Sequence, residues 1–173
     1  MGFHLLSYNI QRGINLDGLL RIFDELPAFR EADVVAIQEA SFLNDGRNVL
    51  EALAEVLSPN HKWTYKTVMS YPDKEYGNGF LFRDSFEIID SYSVPLPQVA
   101  KLKWYEKQKT EGGVPDTKSA IVQRFSKDGQ SVEVANVHLD FSGGPLHRHR
   151  QLEHLLSEIG KRSEIPGDDS LEA

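Results

Sequence analysis

The sequence predicts a mixed α/β fold of two packed sheets with helices outside. Three observations predict it. Segments of strand period alternate with segments of helical period across residues 3–57. The second half instead runs through several strand-like segments in succession. Between two of them, "SKDGQS" carries Asp128-Gly129, a hairpin signal that brings antiparallel pairing with it. Successive strands after an alternating start fit a sheet-on-sheet sandwich better than a purely parallel sheet. A chain of 173 residues is long enough for one ordinary core, so residues 1–173 read as a single domain.

The elements follow in order. Phe3 to Ile10 reads as a first strand. Leu16, Leu19, Leu20, Phe23 and Leu26 share one helical face, and Pro27 should end or bend that helix. "DVVAIQ", Asp33 to Gln38, is a short β-branched run and reads as a buried strand. Asn48 to Leu57 is a second amphipathic helix, followed by Pro59. Strand candidates then cover Trp63–Val68, Gly79–Arg83, Phe86–Val94, Ala120–Phe125 and Val132–Leu139. Pro95 to Asp116 is long and polar, and reads as a surface loop near a site or a disordered excursion. Pro145 suits a first helical position, and the helix it opens should bury Leu152, Leu155, Leu156 and Ile159.

Composition narrows the function. The net charge of −7 is not the footprint of a protein that coats nucleic acid unaided, although a divalent cation would invert the local field. With no cysteines there is no disulfide framework, no thiolate nucleophile and no Cys-ligated zinc. No apolar run reaches membrane-spanning length and the N-terminus lacks a signal-peptide pattern, so a cytoplasmic protein is expected. Neither a Gly-x-Gly-x-x-Gly nor a Walker motif is present to cradle a nucleotide.

Polar groups gather at predicted strand ends. Asn9 ends the first strand, Glu39 follows "VVAIQ", and Asn136 and His138 close "VEVANVHL". A carboxylate and an amide oxygen are hard ligands suited to magnesium. A histidine beside them can hydrogen-bond a phosphoryl oxygen or move a proton near neutral pH. Together they point to metal-assisted phosphoester hydrolysis. Each residue alone has a plainer reading: Asn9 as a turn residue, Glu39 as a cap, His138 as a half-buried histidine with its bond made, and Asp140 as a turn residue. "HRHR", His147 to Arg150, reads as a metal or phosphate cluster or as a solvated first helical turn. "KLKWYEKQK", Lys101 to Lys109, has the basic and aromatic composition of a nucleic-acid or membrane-headgroup contact, and equally that of a mobile polar loop.

In these contexts the residues resemble the endonuclease/exonuclease/phosphatase family, whose fold is that of the DNase-type nucleases. "LLSYNIQRG" is similar to the family's first strand, "DVVAIQEA" to its Gln-Glu strand, "EYGNGFLFR" to its Gly-rich strand, and "VANVHLD" to its Asn-x-His-Leu strand. "RHRQ" supplies the Arg-x-x-Gln, Arg148 and Gln151, of the following helix. The resemblance implies a four-layer αββα sandwich of mixed sheets with outer helices. It implies a phosphodiesterase or phosphomonoesterase, with a phosphodiesterase of nuclease type leading over a phospholipid or sugar-phosphate hydrolase, and with water activated by Mg²⁺ (or Mn²⁺) attacking phosphorus. Glu39 and Asn9 would hold the metal; His138, Asn136 and Asn9 would form the catalytic set, His138 against the phosphoryl oxygens and Asn136 in support. Tyr76, Asn78 and Arg148 would meet the phosphoester substrate, with nucleic acid the leading class.

The C-terminal end departs from the family. Its Gly-Asp-x-Asn and Ser-Asp-His motifs are not found. Gly167-Asp168 is a partial match, with Ser170 in place of the Asn, and residues 161–173 read as a frayed acidic tail. The sandwich therefore reads as truncated at its C-terminus, with Asp168 the remaining candidate for the missing Asp. A second copy or a partner chain completing the sandwich is one expectation. The alternative function is a non-catalytic or fragmentary member acting as a binding or assembly module.

Overall fold

The computed structural model describes residues 2–70, 75–108 and 117–163. Two sheets pack face to face between helices, the four-layer αββα order. In the first sheet β1 (Leu5–Asn9) pairs in parallel with β2 (Val34–Ala40). Between them come a 3-10 turn at Gln11–Gly13 and helices α1 (Leu16–Glu25) and α2 (Pro27–Glu31). β4 (Glu75–Arg83) pairs antiparallel with β2 and with β3 (His61–Ser70), giving the order β1-β2-β4-β3. The second sheet, β5 (Glu87–Pro95), β6 (Ser119–Lys127) and β7 (Gln130–Asn136), is antiparallel throughout.

Local chemistry explains the boundaries. Asn15 Oδ1 accepts from Gly18 N at 3.1 Å and caps α1. Pro27 ends α1 as expected and also opens α2, where its missing N–H costs nothing. Asn48 Oδ1 caps α3 (Val49–Leu57) by accepting from Leu50 N at 2.9 Å. Asp128 and Gly129 adopt φ of 51° and 74° and close the β6–β7 hairpin with Lys127 opposite Gln130.

Three apolar layers hold the sandwich. Val35, Ile37 and Leu81 pack outward on Phe23, Phe29, Leu50 and Leu53 of α1–α3. Val34, Ala36, Phe80 and Phe82 pack inward on Ile121, Phe125 and Val134 of the second sheet. The Phe80 and Phe125 rings meet edge-on at 5.5 Å. On the far side, Val122 and Tyr92 are covered by Leu155 and Ile159 of α5 (Gly144–Ser163). β2 is buried on both faces, as its unbroken apolar run requires.

Several expectations change. β3 and β4 are longer than their apolar cores, because polar residues at their ends still pair across the ladder. The strand expected to reach Leu139 ends at Asn136, for reasons given below. α5 buries Gln151 and Leu155 but leaves Leu152 39% and Leu156 67% exposed. The stripe that turns inward is 151, 155 and 159, set by the polar anchor of Gln151 rather than by leucine spacing. α5 also continues through Lys161 and Arg162 to Ser163, into the stretch expected to fray. The loop after β5 contains a helical turn, α4 (Trp104–Lys107), with Leu102 and Glu106 buried. Among the described residues no helix is long and apolar enough to cross a membrane. Asp168 lies outside them.

Polar ties also cross the sandwich. Thr64 Oγ1 donates to Gln123 Oε1 at 3.0 Å. Asn136, on β7, donates through Nδ2 to Ile37 O and to Gly79 O, both at 2.8 Å, and accepts from Gln38 Nε2 at 2.7 Å. Gly79 itself has no room for a side chain, since an added Cβ would lie 2.2 Å from Thr64 O on the neighbouring strand and 2.3 Å from Leu50 Cδ1. Asn136→Ala leaves buried carbonyls and an amide unpaired, so it should lower the unfolding free energy by roughly 3 kcal/mol. Urea denaturation of the full chain checks this, and a loss under about 1 kcal/mol would contradict a tie of this kind.

Candidate active site

Because β1 and β2 are parallel, their C-terminal ends lie at the same edge of the sheet, where open α/β sheets place ligands. Asn9 is the last residue of β1 and Glu39 the penultimate residue of β2. The β2–β4 register shifts between Ile37 and Ala40, and within that irregularity Glu39 adopts φ of 58°. A non-glycine residue in the left-handed region is strained, and irregularities of this kind re-aim side chains beside functional sites. Asn9 Nδ2 donates to Glu39 Oε1 at 3.1 Å. His138 Nε2 lies 3.4 Å from the same oxygen. Three of the residues picked out in the sequence therefore meet at one carboxylate, two from the first sheet and His138 from the segment that follows β7 of the second. The side chains of His138 and Glu39 keep 29% and 23% exposure, enough for a small ligand to reach both.

Asn136 stands behind this trio and does not face it. Its amide is engaged by Ile37, Gly79 and Gln38.

His138 lies beyond β7, not within a strand. Past Asn136 the chain leaves the ladder because its next anchors are side chains. Asp140, read from sequence as a turn residue, is 3% exposed. Its Oδ1 lies 3.4 Å from Lys118 Nζ, and its Oδ2 accepts from Gln151 Nε2 at 2.9 Å and lies 3.2 Å from His147 Nε2. Asp140 N donates to Gln151 Oε1 at 3.0 Å. The segment carrying His138 is thus clamped to α5 and to the chain leading into β6. His147 serves this clamp. The Arg148 guanidinium reaches the carbonyls of Asp140 and Phe141 at 3.5 Å. Sequence pattern hid the clamp because Lys118 and Gln151 are far from Asp140 along the chain.

A second unforeseen residue is Arg12. Gln11, Arg12 and Gly13 all have positive φ, at 47°, 64° and 72°. Asn9 Oδ1 accepts from Gln11 N at 2.9 Å, and Ser41 Oγ donates to Arg12 O at 2.6 Å, fixing the strained turn over the end of β2. The Arg12 guanidinium donates to Tyr76 Oη at 3.0 Å and lies 5.3 Å from that ring's centroid. Arg12, Asn9 and Glu39 line an open pocket of about 680 Å³. Asn78, on the inner face of β4, is fully buried, and neither atom of its amide has a hydrogen-bond partner among the described residues.

For a hard divalent cation the site offers the Glu39 carboxylate and the Asn9 amide. Among the described residues no group of three or more His, Asp or Glu side chains forms a fuller ligand set. One carboxylate with water and substrate oxygens fits the way Mg²⁺ binds in phosphoryl-transfer sites.

The same architecture occurs in solved structures. An endonuclease/exonuclease/phosphatase family protein from Leptotrichia buccalis C-1013-b matches with 15% identity and a TM-score of 0.67, over 94% of this chain and 62% of its own. This chain has the endonuclease/exonuclease/phosphatase fold. A mannosyl-6-phosphatase from Bacteroides thetaiotaomicron VPI-5482 matches with 16% identity and a TM-score of 0.69, over 96% of this chain and 62% of that one. D. rerio TDP2, complexed with single-strand DNA product, matches with 16% identity and a TM-score of 0.60, over 95% of this chain and 56% of that one. The chain therefore spans less than two thirds of each of these endonuclease/exonuclease/phosphatase-fold chains. No protein-family model and no curated protein matches it in sequence.

The strain at Glu39 gives a direct test. Glu39→Gly relieves the left-handed backbone, whereas Glu39→Ala retains it. The glycine variant should be the more stable by about 1 kcal/mol in urea denaturation. Equal stability would show that this backbone carries no strain.

Proposed function

We propose that the chain carries the site of a metal-dependent phosphoester hydrolase, most simply a phosphodiesterase of nuclease type. The observation that carries the reading is the meeting of Asn9, Glu39 and His138 at one strained strand end, within a fold shared by proteins described as a phosphatase and as bound to a DNA product. Fold alone does not assign chemistry; the site does.

Glu39, oriented by Asn9, would hold Mg²⁺ (or Mn²⁺). Such a cation supplies Lewis-acid polarisation of a phosphoryl oxygen and activation of water. His138 donates from Nε2 to a phosphoryl oxygen on which charge builds as water attacks phosphorus, a contribution of the oxyanion-stabilising kind. Arg12, turned toward the pocket and braced by Tyr76, supplies a guanidinium suited to a second phosphate oxygen. Asn78 fits a ligand-completed role, since buried amides are rarely left unpaired. Asn136 and Asp140 are positioning residues: the first fixes the end of β7 to the other sheet, and the second fixes the segment that follows His138.

The rival reading is a binding or assembly module without turnover, favoured by the single carboxylate available to a cation. One assay separates them: hydrolysis of a small phosphodiester and of plasmid DNA by the full chain, with Mg²⁺, with Mn²⁺ and with EDTA. We expect cleavage that requires the cation and falls about 10²–10³-fold in His138→Ala. Cleavage indifferent to EDTA or to His138→Ala would overturn the hydrolase site assigned here. No cleavage by folded protein would leave the binding module.

A further inference from the structure

We propose that α4 is a base-stacking platform, on which Trp104, with Tyr105 edge-on beside it, stacks against a base of single-stranded nucleic acid while Lys101 and Lys103 meet its backbone. The inference rests on the phosphoesterase reading, whose substrate class it narrows.

α4 is anchored by buried side chains and by its own carboxylate. Leu96 and Leu102 are buried on either side of the segment's start, and Leu96 N donates to Lys118 O at 2.8 Å. Glu106 is the latch: its Oε2 accepts from Lys103 N at 2.7 Å and its Oε1 from Gly143 N at 2.9 Å. These N–H donors hold the Glu106 carboxyl below the ordinary carboxylate range. Gly143 belongs to the segment that runs from His138 into α5. The latch therefore joins α4 to the chain that carries the candidate catalytic histidine.

What the mount presents is aromatic and basic. Trp104 is 74% exposed and Tyr105 43%. Their rings stand 5.9 Å apart at 89°, so the two rings face different directions. Lys103 Nζ lies 5.8 Å from the Tyr105 centroid, and Lys101 and Lys107 are exposed nearby in sequence. With Glu106 turned inward on N–H groups, the outer face of α4 is cationic in a chain of net charge −7. Exposed aromatics among lysines are the chemistry that binds single strands, because every base offers a π face and every linkage a negative charge. An anionic bilayer would be drawn by the same lysines. It is the weaker fit because α4 is one turn long and its apolar neighbour, Leu102, points into the protein, leaving no amphipathic stripe to insert.

The test uses the full chain in EDTA, so that binding is read without turnover. The probe is a dye-labelled oligothymidylate followed by anisotropy, beside phosphatidylserine vesicles. Trp104→Ala should weaken oligothymidylate binding by about tenfold and Trp104→Phe by much less. On a Trp63→Phe background, the emission of Trp104 should be quenched as the oligonucleotide binds. Lys103→Ala should lower the salt slope by about 0.7. Unchanged affinity in Trp104→Ala, or vesicle binding without oligonucleotide binding, overturns the platform. Hydrolysis of a small phosphodiester by Trp104→Ala stays at the wild-type rate if the site is as assigned. Loss of that activity in the wild type would count against the site and not against the platform.

Discussion

The amide of Asn136 is the constraint on which the rest of the site depends. The apolar interior, the edge-on Phe80–Phe125 contact and the Thr64–Gln123 bond hold the two sheets together, but none of them fixes the end of β7 against the end of β2. Asn136 supplies that link. It donates to a carbonyl on β2 and to one on β4, and it accepts from Gln38, the residue before Glu39. The last residue of β7 is thereby fixed to the end of β2, and His138, two residues on, comes within 3.4 Å of Glu39. Buried at 1% exposure, these bonds have no water to replace them, so losing any of them leaves a buried group unpaired.

Around that tie the fold concentrates strain and charge at one edge. Glu39, Gln11 and Arg12 occupy left-handed backbone, which ordinary residues avoid unless their surroundings impose it. Asn9 serves both sides of this arrangement: its Nδ2 orients the Glu39 carboxylate, and its Oδ1 accepts from Gln11 N to hold the turn that aims Arg12. Opposite, Asp140 gathers Lys118, His147 and Gln151 beneath α5. A buried carboxylate paired with a lysine is weak evidence for stability, but it gives a unique placement to the loop above it. The candidate site is a strained carboxylate on one sheet and a histidine on the clamped segment that leaves the other.

Much of this was legible in the sequence because short-range pattern encodes it. The β-branched run ending in Gln38-Glu39, the Asp128-Gly129 hairpin and the polar residues closing β1 and β7 are local signals, and the structure puts the first and last of them together. What pattern could not show is long-range partnership. Asp140 looked like a turn residue because its partners lie 22, 7 and 11 positions away in Lys118, His147 and Gln151. Leu152 and Leu156 looked buried because apolar spacing says nothing of a buried glutamine that turns the helix. Arg12 carried no signal at all, since its position comes from three successive residues of positive φ. Whether the polar loop around Trp104 was a surface loop near a site or a disordered excursion stayed open, because the pattern cannot reveal that Glu106 would be buried on the N–H of Gly143.

The most direct measurement is paramagnetic broadening by Mn²⁺ in the full chain labelled with ¹⁵N. At substoichiometric Mn²⁺, the amides of Asn9 and Glu39 and the imidazole signals of His138 should broaden together, before any other region. Broadening of Glu39 that leaves His138 sharp, or that centres on another part of the chain, would contradict a single site built from the ends of two sheets.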